Sequence, residues 1–70
     1  MKTVKIYIKG MHCKSCKMLL EDSFEDLGVT SCNVNWEKGI AEVEFDPNSV
    51  TIDQLKAAVV EEGYIVTKIE

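Results

Sequence analysis

The 70-residue chain is 46% hydrophobic and 29% charged, the balance of one globular domain over residues 1–70. At this length folding buries only about 60% of the surface the unfolded chain exposes, so a walled substrate cavity would consume the core and most enzyme classes are excluded. A net charge of −4 argues against a general binder of nucleic acid or anionic lipid, and no apolar run is long enough for a membrane span or a signal peptide; a cytoplasmic protein is expected.

Thr3 to Lys9 alternate, with Val4, Ile6 and Ile8 on one face, which predicts a strand with one buried side. Gly10 opens a loop, and a helix follows from about Ser15 to Leu27. Cys16, Leu20, Ser23, Phe24 and Leu27 share its inner face, and Glu21, Asp22, Glu25 and Asp26 its solvated one. Gly28 stops it. A second strand is predicted over Ser31–Trp36, with Cys32, Val34 and Trp36 inward, then a turn at Glu37-Lys38-Gly39. The third strand, Ile40–Phe45, points Ala41, Val43 and Phe45 inward. Thr51 and Gln54 have the spacing of a capping box, so a second helix starts near Ile52, buries Ile52, Leu55, Ala58 and Val59, and ends at Gly63. In the last strand, Tyr64–Ile69, both alternate sets contain apolar residues, so its facing stays open. The order β-α-β-β-α-β fits an α+β, ferredoxin-like sandwich: a four-stranded antiparallel sheet with both helices on one face.

Charge is unevenly placed. Lys2, Lys5, Lys9, Lys14 and Lys17 fall in the first seventeen residues, which contain no acid, whereas all twelve acids come from Glu21 onward. Cys13 and Cys16, a C-x-x-C pair, lie at this basic end; Cys32 stands alone. Three cysteines do not make a disulfide framework, and in a reducing compartment the pair reads as a metal or redox site. Unpaired N–H groups at a helix start favour thiolate over thiol, and Lys14 and Lys17 add positive charge in the same turn. Two thiolates on an adjustable loop suit a soft ion such as Cu(I), whose open ligand shell invites attack by a partner's thiolate. Transfer is the natural use of such a site.

Gly10-Met11-His12-Cys13-Lys14-Ser15-Cys16 resembles the G-M-x-C-x-x-C signature of heavy-metal-associated domains. These small ferredoxin-like modules occur as copper chaperones and as amino-terminal domains of metal-transporting P-type ATPases. The resemblance continues through Gly28-Val29, Val34, Val43-Glu44-Phe45-Asp46-Pro47 and Gly63-Tyr64. It implies that Cys13 and Cys16 bind the metal, that Met11 packs under the loop without ligating, and that Tyr64 lies close to the loop, as in bacterial and archaeal copper modules. His12 stands where zinc- and cadmium-selective members often carry aspartate, which favours Cu(I), although Ag(I), Hg(II) or Zn(II) could occupy the same thiolates. The implied function is a Cu(I) metallochaperone or metal-binding module, not an enzyme. It would exchange copper with a P-type ATPase or that protein's metal-binding domains, and a metal-bridged homodimer is a further expected partner. A chain from Met1 to Glu70 fits a free chaperone and an ATPase domain alike.

Rival readings attach to individual residues. His12 is a third ligand or, as favoured, a loop residue that tunes charge near the metal. Cys32 is expected as a buried core thiol; a structural zinc built from His12, Cys13, Cys16 and Cys32 would need it at the loop end of the sheet. Met18 and Leu19 miss the buried stripe and are expected to form a partly exposed apolar patch, edged by Lys14 and Lys17, on which a partner docks. The functional alternatives are a domain of a Zn/Cd/Hg-handling system and a small thiol oxidoreductase. The latter normally needs a proline facing the cysteine pair, and the only proline is Pro47.

Overall fold

The computed structural model of the protein describes residues 1–11 and 14–70. Strand β1 (Lys2–Lys9) alternates as its side chains dictate, with Val4, Ile6 and Ile8 buried. Helix α1 (Lys14–Leu27) buries Cys16, Leu20 and Phe24, one residue per turn at a spacing of four, and stops at Gly28. Strands β2 (Ser31–Asn35) and β3 (Ile40–Phe45) form a hairpin; helix α2 (Ile52–Glu61) and strand β4 (Ile65–Ile69) complete the chain. The sheet order is β2-β3-β1-β4, with every neighbouring pair antiparallel. The expected β-α-β-β-α-β arrangement is therefore present. Phe24, Phe45, Leu20, Leu55, Val34 and Val59 are fully buried in one core, each worth roughly 1.5–3 kcal/mol relative to exposure. No helix among the described residues is long and apolar enough to cross a membrane.

Three places in the fold depart from the sequence expectation or complete it. Strand β2 ends at Asn35 and not Trp36, because the Asn35 side-chain oxygen accepts the amides of Glu37 and Lys38, each at 3.1 Å, and turns the chain early. Trp36 is left in the turn, half-buried against the core. Gly39 closes this turn with φ +69° and a 2.9 Å bond from its amide to the Asn35 carbonyl; its own carbonyl accepts the Ile8 amide at 2.7 Å.

The second place settles the facing of β4, which the sequence left open. Ile8 lies opposite Val66, but Ile6 lies opposite Ile69, so one extra residue is inserted between them as a β-bulge. Val66 and Ile69, three apart, therefore both pack on the core, and the Thr67 hydroxyl donates to the Tyr7 carbonyl at 3.2 Å. Lys68, opposite Tyr7, places its ammonium 5.8 Å from the ring centroid and 2.9 Å from the Glu70 carboxylate. Beyond β4, Glu70 and Lys5 exchange backbone bonds of 2.8 and 3.0 Å.

The third concerns the start of α2. Both halves of the Thr51/Gln54 capping box are present. Val50, which the helix pattern did not claim, is also fully buried. It precedes the N-cap, and Leu55 stands at the fourth helical position, the arrangement of a hydrophobic staple. The spacing was available in the sequence.

Candidate metal centre

Three elements converge where β1 ends. Gly10 leaves the strand with φ +108°, a backbone region that side chains resist. Met11 then turns inward and is buried in the core cluster. Helix α1 begins at Lys14.

Cys16 lies in the first turn of that helix and is 9% exposed. The first turn contains no acid, although helix starts favour negative charge. A thiolate at Cys16 would meet that preference, with the backbone N–H groups of the turn as its stabilising field. Lys14 and Ser15 are exposed beside it and Lys17 is half-buried. His12 and Cys13, the expected tuning residue and first ligand, lie outside the described residues.

Tyr64 arrives from the other side. Helix α2 ends with the Gly63 amide bonding the Val60 carbonyl at 2.9 Å and the Tyr64 amide bonding that of Val59 at 3.3 Å, a Schellman turn that puts Gly63 at φ +89°. The corner delivers the half-buried Tyr64 ring against Gly10, where an added Cβ would lie 3.4 Å from Tyr64 Cδ1. Lys9 pairs with Ile65 next door. Tyr64 and Gly10 are thus adjacent although 54 residues separate them in the chain. Gly10 has a part that the sequence reading did not assign: a bare face for an aromatic ring.

Cys32 does not belong to this constellation. Its Sγ lies 3.8 Å from the Glu21 carbonyl, five residues and about 7.5 Å along α1 from Cys16. Thiolates sharing one zinc ion sit about 2.3 Å from it, so the four-ligand zinc site has no support. Nor is Cys32 the fully buried thiol expected: it faces inward, but β2 is an edge strand and leaves it half-exposed. Desolvation pushes its pKa up, and the charges of Glu21, Glu25 and Asp22 push it further. Among the described residues no three His, Cys, Asp or Glu side chains gather as a metal cluster. Pro47 lies beside Lys2, at the start of β1 and the opposite end of the sheet from Gly10, so it does not face Cys16 as a thiol oxidoreductase would require.

Along the first turns of α1 the surface forms a groove of ≈ 490 Å³, with Lys14, Lys17 and Met18 on the α1 side and Asn35 and Trp36 on the other. Met18 is 65% and Leu19 48% exposed, as the pattern predicts.

The heavy-metal-associated domain family matches this chain over residues 5–64. The copper chaperone CopZ of Staphylococcus saprophyticus is 39% identical over 67 residues, which span 94% of this chain and 98% of that protein. A solved CopZ metallochaperone superposes with a TM-score of 0.91 at 33% identity, over 94% of this chain and all of its own. A copper-binding domain from HMA7, a P-type ATPase, superposes with a TM-score of 0.90 at 25% identity, over 100% of this chain and 99% of its own.

Proposed function

The chain belongs to the heavy-metal-associated domain family, and from that premise we propose that it carries Cu(I) as cargo, bound by Cys13 and Cys16. A two-thiolate Cu(I) centre has a net charge of −1. The start of α1 and the ammonium groups of Lys14 and Lys17 offset it. Met11 anchors the loop from below, Tyr64 covers one flank, and His12 tunes the local charge. Transfer proceeds by ligand exchange without redox change. A partner's thiolate adds to the open shell, Cys13 or Cys16 departs as thiolate, and a second exchange completes the move. The partner is a metal-binding domain of a copper-transporting P-type ATPase, and a second copy of this chain is an alternative recipient through the same bridge. Ag(I) and Hg(II), and Zn(II) more weakly, compete for the two sulfurs. The protein has no catalytic role in this reading and acts in the cytoplasm, where thiols stay reduced.

One observation carries the proposal: a buried cysteine in an acid-free first helical turn, three positions after the other cysteine in the sequence. The test is anaerobic Cu(I) titration against a competing chelator. One ion per monomer is expected, with tight binding lost in Cys13→Ser and in Cys16→Ser and kept in Cys32→Ser. Retention by Cys16→Ser with loss in Cys32→Ser would overturn the site.

A further inference from the structure

Ser23 lies seven residues, two turns, along α1 from Cys16. Its hydroxyl donates to Glu62 Oε1 at 2.9 Å, a partly buried bond spanning 39 residues of sequence. Glu62 is the C-cap of α2 and the residue from which the Gly63–Tyr64 corner departs. The bond therefore ties the helix that carries Cys16 to the corner that carries Tyr64.

Leu20 and Phe24 of α1 share one fully buried core with Leu55 and Val59 of α2, but the helix contact beside that core is thinly filled. Where the two helices meet, a groove of ≈ 260 Å³ is bordered by Leu27, Ala57 and Ala58, and two of those three side chains are single methyl groups. Methyls interlock poorly against sliding, so a directional bond has more influence on register here than in a tightly filled contact. Sliding α2 along α1 would carry Glu62, Gly63 and Tyr64 together, because the Schellman bonds hold them as one corner. The Tyr64 ring would then leave Gly10.

We infer that Ser23 and Glu62 are positioning residues for Tyr64: their bond keeps the Tyr64 ring seated on Gly10 and so slows the departure of the cargo metal to an incoming thiolate. The kinetic half of this inference rests on the Cu(I)-carrier reading; the positional half does not.

The experiment accordingly has two arms. In the metal-free protein, NMR measures the cross-relaxation between Tyr64 ring protons and Gly10 α protons. It should weaken in Ser23→Ala and in Glu62→Leu, and persist in Glu62→Gln, which keeps an acceptor oxygen. In the Cu(I)-loaded protein, stopped-flow transfer to a competing chelator should run about two- to tenfold faster in Ser23→Ala, the range one hydrogen bond can supply. That acceleration should vanish when Ser23→Ala is placed in a Tyr64→Ala background, whereas a merely structural role would accelerate release equally with or without the ring. Unchanged cross-relaxation in both Ser23→Ala and Glu62→Leu, or full acceleration in the Tyr64→Ala background, overturns the inference. Should the parent bind no Cu(I), the carrier reading falls and the NMR arm alone decides the positional claim.

Discussion

Replacing Gly39 by alanine should destabilise the protein by more than any other glycine-to-alanine change at its turns, and the structure gives the margin. At Gly39 an added Cβ would stand 2.5 Å from the Ile8 carbonyl oxygen, a backbone atom that cannot swing aside. Gly63 provides the comparison: its φ of +89° is equally unfriendly to a side chain, but nothing lies within 4 Å of its Cβ position. Gly63→Ala should therefore lose only the conformational term, roughly 1–2 kcal/mol. Gly39→Ala carries a similar term, and the clash also forces apart the 2.7 Å bond from the Ile8 amide to the Gly39 carbonyl. Ile8 is 6% exposed, so its amide would lose its partner where water reaches it poorly, at about 1–3 kcal/mol. The variants should thus differ by about that amount. With a urea m-value of ~1 kcal/mol per molar for so small a domain, the midpoint of Gly39→Ala should fall about 1–3 M below that of Gly63→Ala. Trp36, half-buried beside the turn, supplies the fluorescence signal. Coincident midpoints would refute the steric argument and the close approach it relies on.

Val50→Ala should cost roughly 1–3 kcal/mol by thermal or urea unfolding, because it opens the staple under α2; a surface-like change below 0.5 kcal/mol would deny Val50 its place in the core. Cys32 has a raised pKa in the folded protein, so it favours folding below the unfolded value and loses that contribution as pH rises through the folded one. Urea midpoints of the parent should consequently fall more steeply than those of Cys32→Ala between pH 7 and pH 10, and parallel curves would contradict the assigned environment. Lys14→Glu with Lys17→Glu should slow Cu(I) transfer to a P-type ATPase metal-binding domain by about tenfold at low salt while leaving Cu(I) binding intact. Rates equal to the parent's at low and high ionic strength would make the two lysines an ordinary solvated surface.

Local rules carried most of the fold. The alternation of Val4, Ile6 and Ile8 in β1 and of Ala41, Val43 and Phe45 in β3 depends only on a buried face, and both strands form as that pattern requires. The Thr51/Gln54 box marked the start of α2 within four residues of chain. Strand β4 resisted because its inward residues, Val66 and Ile69, differ in parity; only its pairing with β1 fixes where the extra residue goes. Trp36 read as a strand residue because the Asn35 side chain, which ends β2, competes with the sheet through bonds that no periodicity records. Cys32 has the inward parity expected of it, but parity does not reveal that its strand lies at the edge. At the candidate centre, the C-x-x-C spacing and the acid-free turn were visible in the sequence. The nearness of Tyr64 to Gly10 came only from a family resemblance, since nothing local relates residues so far apart. The Ser23–Glu62 bond had no sequence signature at all.

The bonds between Glu70 and Lys5 bear on how such a module can be wired into larger assemblies. Strand β4 runs from Ile65, beside the loop, toward the end of β1 where the chain starts, so a polypeptide leaving Glu70 heads the same way as one joined at Met1. Linkers at either terminus therefore depart from the end of the sheet away from Gly10. Copies strung in series would hang like beads, each free to turn its Gly10 end outward. A dye, bead or surface coupled to the last residue would likewise leave the thiol-bearing end open to visitors.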